Sequence, residues 1–176
     1  MSSSANCRSH SRVKTISDPA FGSLVLGMPA DIDRIVLDTN VCLDLFVFDD
    51  PRCGRLRDAL HAGEVVAATD DPCRDEWMRV LRYPELRLGE AMRVVALARF
   101  DSAMKHRLPV PSEEAGLPPL PRCRDPDDQK FLELALRTGA RWLLTRDDHL
   151  LALAKRTRRD GLFAILTPSE WCSMRT

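Results

Sequence analysis

The chain has 176 residues, 44% hydrophobic and 30% charged, enough apolar material for one cored domain and too much for a wholly disordered chain. Lys+Arg and Asp+Glu are both 26, a net charge of zero, which excludes a grossly basic nucleic-acid coat protein but not a local basic groove. Of the 26 basic residues, 22 are Arg, the side chain suited to bidentate phosphate contacts.

Residues 1–30 differ from the rest. Met1 to Ser17 is Ser-rich, basic and devoid of acids, which reads as a disordered or misannotated extension. Its amphipathic pattern is too poor for a transit peptide. Met28 directly precedes the first clear strand, so residues 1–27 are expected to be dispensable, and 31–176 is the expected domain. Leu24-Val25-Leu26 is far too short for a secretory or membrane-spanning segment. No cysteine pair is spaced C-x-x-C, so the thiols are expected to be free in a reducing cytoplasm.

From Arg34 onward strand-like and helix-like segments alternate. Residues 34–38 read as a buried strand with a polar end, and Val41 to Phe48 as a helix. Arg52 to His61 is a short amphipathic helix stopped near Gly63. Residues 64–69 form a second strand. Pro72 to Leu81 is a helix with Pro in its first turn. Gly89 to Lys105 is a longer helix, and Leu108-Pro109-Val110 a short edge strand. A Pro-rich connector, 111–125, leads to a helix from Pro126 to Thr138. A strand at 141–145, a helix at 148–155, a strand at 163–166 and a terminal helical turn at 168–172 complete the chain. The alternation implies βαβ units, hence an α/β fold with a central parallel sheet covered on both faces. Ligands in such folds bind outside the carboxyl ends of strands, where strand order reverses.

Acidic residues collect at those positions. Asp38 closes the first strand, a costly place for a carboxylate without a purpose, although a helix cap is the plain alternative. Asn40 is either a helix N-cap or a group that orients Asp38. Glu76 lies in the third helix, with Asp75 as its competitor. Asp125-Pro126-Asp127-Asp128 is a well-formed helix start. Within it, Asp128 heads the inward stripe Phe131-Leu132-Ala135, and Asp127 stands one step away. Asp147 follows the 141–145 strand and also suits a cap. Converging carboxylates repel unless a cation neutralises them. Oxygen donors without paired Cys or His match Mg²⁺ or Mn²⁺ rather than zinc. One or two such ions acidify a bound water and steady a phosphate under in-line attack.

Ile35-Val36-Leu37-Asp38-Thr39-Asn40-Val41, Glu76 with Val80-Leu81-Arg82-Tyr83-Pro84, Asp125-Pro126-Asp127-Asp128-Gln129-Lys130-Phe131-Leu132 and Leu143-Leu144-Thr145-Arg146-Asp147 together resemble the PIN-domain nucleases. Within that family they are most similar to toxin components of bacterial toxin–antitoxin systems related to VapC toxins. The resemblance covers roughly residues 32–172. It implies a three-layer α/β/α fold and an Mg²⁺- or Mn²⁺-dependent endonuclease acting mostly on RNA, leaving 5′-phosphate and 3′-hydroxyl ends. It implies Asp38, Glu76, Asp128 and Asp147 as catalytic, metal-holding acids supported by Thr39, Asn40 and Asp127. It also implies an antitoxin partner and a homodimer.

An RNA substrate needs a positive rim, for which Arg52, Arg55, Arg57, Arg79, Arg82 and Arg146 are the candidates; each reads equally well as a solvated surface Arg. Trp77, Trp142 and Trp171 sit in apolar elements and read as packing residues. His149 reads as a surface first-turn His. No Gly-rich phosphate loop ending in Lys-Ser/Thr is present. A phosphatase with a strand-end Asp nucleophile would need a second Asp two residues on, where this chain has Asn40. The other rival is a PIN-like domain that binds RNA or an antitoxin without cutting.

Overall fold

The computed structural model describes residues 32–106 and 119–175, all within the compact unit Asp31–Thr176. The proposed extension and most of the connector lie outside the described residues.

Strand β1 (Asp33–Leu37) leads into helix α1 (Thr39–Phe46), a 3-10 turn at Pro51–Cys53 and α2 (Gly54–His61). Gly63 ends this stretch at φ +70°, a conformation that only Gly adopts without strain. Next come β2 (Val65–Thr69), α3 (Asp71–Val80) and α4 (Glu90–Ala103), followed by β3 (Met104–His106). After the connector, a 3-10 turn at Pro126–Asp128 opens α5 (Gln129–Arg137). The chain finishes with β4 (Trp142–Leu144), α6 (Asp148–Leu151), α7 (Ala154–Arg159), β5 (Ala164–Leu166) and α8 (Pro168–Met174).

All strand pairs are parallel, in the order β3-β2-β1-β4-β5. The chain winds outward from β1 through β2 to β3, then returns to the other side of β1 for β4 and β5. Strand order therefore reverses between β1 and β4, and their carboxyl ends form the crevice where such sheets bind ligands.

The strands divide their side chains between two cores, as the period of two requires. Ile35, Leu37, Val65, Ala67, Trp142 and Leu144 face one layer with Val41, Leu45, Leu56, Trp77, Phe100 and Trp171. Val36, Val66, Ala68, Leu143 and Ile165 face the other with Phe131, Leu132, Ala135, Leu150 and Phe163. This is the expected three-layer α/β/α arrangement. In the first core Trp77 stacks on Phe100, with centroids 5.4 Å apart, and meets Phe46 edge-on at 6.2 Å. That trio ties α3 to α1 and α4, which sets where Glu76 points. All three tryptophans are buried, consistent with packing and not with a base-stacking platform.

Two elements differ from the pattern-based expectation. Helix α4 stops at Ala103, and Met104–His106 pairs with Ala67–Thr69. The gain from adding a strand to the β2 edge outweighs two more residues of helix. The expected edge strand at 108–110 lies outside the described residues. The single helix expected at 148–155 is two helices, α6 and α7. Among the described residues no helix is long and apolar enough to cross a membrane.

Candidate functional site

Asp38 is the first residue after β1. Its backbone N–H extends the ladder to Leu144 O at 3.0 Å. It occupies the N-cap position of α1, yet its side chain makes no cap bond. The carboxylate, 4% exposed, accepts at Oδ2 from Thr145 Oγ1 at 2.5 Å and from Asn40 Nδ2 at 2.6 Å. Asn40 lies inside α1 rather than at its cap. Its Oδ1 accepts the Arg146 N–H at 3.1 Å, so the side chain spans the β1–β4 crevice and orients Asp38.

Thr145 is one of the residues that sequence reasoning passed over. It is fully buried just beyond β4. While donating to Asp38, its Oγ1 accepts the Asp147 N–H at 2.8 Å. One hydroxyl thus couples the two strand-end acids. The available signal was its position two residues before Asp147, at the end of an otherwise apolar strand. Asp147 also caps α6: its Oδ1 accepts from His149 N at 2.8 Å and Leu150 N at 3.1 Å.

Glu76 comes from α3, whose start is fixed by Asp70 capping Cys73 N and by Pro72 in the first turn. Its Oε1 accepts from Thr39 Oγ1 at 2.7 Å. Its Oε2 pairs with the Lys130 ammonium. Asp75 beside it is exposed. Lys130 had no assigned role in the sequence reading.

Asp128 closes the 3-10 turn and is half-buried, whereas Asp127 is exposed. Asp125 stabilises that turn by accepting the Asp127 N–H at 2.9 Å. Burial and then the charges of Asp38, Asp147 and Asp125 push the Asp128 carboxyl up to about 6, opposed by Lys130. Burial, with Glu76 and Asp147 nearby, also raises Asp38, opposed by the bonds from Thr145 and the Thr39 backbone. Asp38, Asp128 and Asp147 therefore share one electrostatic neighbourhood, with Glu76 at its edge.

The donors are carboxylate oxygens whose negative charge Lys130 only partly compensates, which fits a hard divalent cation in type and sign. Among the described residues, however, no three His, Cys, Asp or Glu side chains converge into a ready-made metal group. In this arrangement Asp38 is turned to Thr145 and Asn40, Asp147 to the α6 amides, and Glu76 to Thr39 and Lys130. Asp38 uses only Oδ2 and Asp147 only Oδ1 in these bonds, whereas Glu76 has both oxygens engaged.

The larger described cavity, about 760 Å³, lies elsewhere, against Leu45, Phe46, Arg57, Leu60, Val65 and Arg99. None of the four acids lines it. A polar rim open to solvent needs no deep cavity to hold an extended polymer.

The arginines are placed unevenly. The exposed Arg52 is paired with Asp50 at 2.6 Å, and Arg57 with Asp49 at 3.3 Å. Arg55 donates to Arg175 O, and Arg175 itself pairs with Asp33 and Glu64. Asp33 opens β1, so this group turns toward the amino ends of the strands and away from the acids. Arg146 clamps the buried Asp44 of α1 through Nε and Nη2, both at 2.9 Å. Arg79 and Arg82 are exposed on the later part of α3 and the turn after it, beyond Glu76.

A family model described as the PIN domain matches residues 34–149, a span that takes in all four acids and about two thirds of the chain. The chain belongs to the PIN-domain family, whose members are generally nucleases, typically with divalent metals. No curated protein matches it.

Proposed function

We propose that this chain is a divalent-metal-dependent endoribonuclease and the toxin component of a toxin–antitoxin pair related to VapC toxins. Residues 31–176 would form the working domain and residues 1–30 an extension outside it. Asp38, Glu76, Asp128 and Asp147 would hold Mg²⁺ or Mn²⁺. The observation that carries the metal-dependent reading is the shared electrostatic neighbourhood of Asp38, Asp128 and Asp147 at the β1–β4 crevice. RNA as the polymer, a protein antitoxin, a homodimer and a cytoplasmic setting follow from the resemblance of the four motif strings. They go beyond family membership.

A divalent ion held there supplies positive charge for a phosphate under attack and acidifies water for hydrolysis. The chain's own residues do the positioning. Thr145 and Asn40 fix the Asp38 carboxylate, and Thr39 fixes Glu76. The Asp147 backbone is held by the same Thr145 hydroxyl, so the two strand ends keep their spacing. The Asp125 side chain caps the turn that presents Asp128, with Asp127 contributing its backbone N–H.

A metal-titrated cleavage assay on a pooled RNA library tests this reading, with Asp38→Asn as the control. The native chain should cut only with Mg²⁺ or Mn²⁺, and the variant should fold and not cut. Cleavage that survives Asp38→Asn would refute the acid assignment. RNA retained but uncut at every metal concentration would favour a binding domain instead.

A further inference from the structure

We infer that Lys130 is a built-in counter-cation that occupies Glu76 in the metal-free chain and must be displaced before a divalent ion can use that carboxylate. The inference rests on the proposed metal reading and concerns how the same site is regulated. Three observations carry it. First, the Lys130 ammonium pairs with Glu76 Oε2, and both side chains are largely buried, at 19% and 14% exposed. Second, the ammonium is held from behind: it donates to the Asp127 carbonyl and lies 4.9 Å from the centre of the Phe131 ring. Third, Lys130 is the opposing positive charge acting on Asp128, whose other charged neighbours are acids.

One lysine therefore pairs with Glu76 in α3 and acts electrostatically on Asp128 just before α5, the two acids of the site that do not follow strands. The strand-end acids are held by neutral donors, Thr145 and Asn40 for Asp38 and backbone amides for Asp147. Neutral donors orient a carboxylate without cancelling its charge, whereas an ammonium cancels it. Asp38 and Asp147 thus keep their attraction for a cation, while Glu76 offers its own only after Lys130 leaves. Lys130 keeps the site from holding uncompensated negative charge when metal is scarce, and it weakens metal binding in proportion to the strength of its pair with Glu76.

The test is calorimetric titration of the full-length chain with Mn²⁺, with thermal unfolding measured with and without Mn²⁺. The native protein is compared with Lys130→Met, Lys130→Arg and Asp38→Asn. Lys130→Met should bind Mn²⁺ about five- to tenfold more tightly than the native chain. Its melting temperature should fall without metal and rise more steeply than the native one as Mn²⁺ is added. Lys130→Arg keeps the charge and should stay near the native affinity. Equal Mn²⁺ affinity in the native chain and Lys130→Met, with the same loss of melting temperature in both conditions, would reduce Lys130 to a structural ion pair and overturn the inference. Unchanged Mn²⁺ affinity with weaker RNA binding would overturn it too, making Lys130 a phosphate contact. Failure of the native chain and of Lys130→Met alike to bind Mn²⁺ would sink the metal reading itself, an outcome distinct from equal binding.

Discussion

Asp128 carries the largest electrostatic burden of the four acids. Its carboxyl is pushed up to about 6 by burial and by Asp38, Asp147 and Asp125, while an unfolded Asp titrates near 3.9. A raised acid pKa means that the folded state holds its proton more tightly than the unfolded chain does. The associated stability is present at low pH and is lost as pH rises through roughly 4 to 6. Asp128 makes no side-chain cap bond to α5, so Asp128→Asn removes charge without removing a cap. In metal-free buffer at pH 7 the variant should be more stable by about 1 kcal/mol, after discounting for the exposure of a half-buried group. Its stability should also be flatter between pH 4 and 6. Urea unfolding at several pH values checks both, and equal stability of the two proteins at pH 7 would contradict the repulsion.

At the scale of elements, the clearest tie between the two halves of the crevice outside the acids is Asp44 of α1 with Arg146 of the β4–α6 loop. Asp44 is 4% exposed, and burial raises its carboxyl while Arg146 lowers it. Removing the guanidinium leaves a buried carboxylate without its partner. Arg146→Met should cost about 1–3 kcal/mol, since one partner is partly exposed, and Asp44→Asn in the same chain should restore part of it. A double-mutant cycle by chemical denaturation gives the coupling; additive effects would show that the clamp contributes nothing. This pair also shows what the sequence hid. Asp38 and Asp147 were legible because they follow apolar strands, and Asp128 because it heads an apolar stripe. The parallel sheet followed from the alternation of elements. Asp44 and Lys130 carry no such local mark, and Thr145 only a faint one: Asp44 looks like an interruption in an apolar helix, Lys130 like a surface lysine and Thr145 like the polar end of an apolar strand. Their roles arise only when β1 and β4 become neighbours and α3 meets α5, which brings together Asp38 and Thr145, 107 residues apart, and Glu76 and Lys130. The expected helix runs on through Lys105 into what is β3 for the same reason, because the pairing of β3 with β2 is a tertiary gain that helix periodicity cannot register.

For the whole molecule, zero net charge means that the chain as a whole exerts no net attraction on a nucleic acid, so binding must come from locally placed cations. Most of the candidate arginines are already spoken for. Arg146 is held by Asp44, Arg52 by Asp50 and Arg57 by Asp49, and Arg55 points toward the far end of the sheet. Arg79 and Arg82 are exposed beyond Glu76, and among the described residues neither is in an ion pair. If these two form the proposed phosphate-binding rim, RNA affinity should fall with salt, but only moderately. Each neutralised phosphate on a single strand contributes about −0.7 to the slope of log affinity against log salt. Two contacts give a slope of about −1.4, and replacing both arginines by Ala should bring it close to zero while leaving the melting temperature unchanged. Binding is measured on the non-cleaving Asp38→Asn background so that substrate survives the titration. A slope that stays near −1.4 after both replacements would move the rim elsewhere, first to the paired Arg52 and Arg146. A slope near zero in the starting protein would mean that the crevice grips bases or sugar edges rather than the backbone.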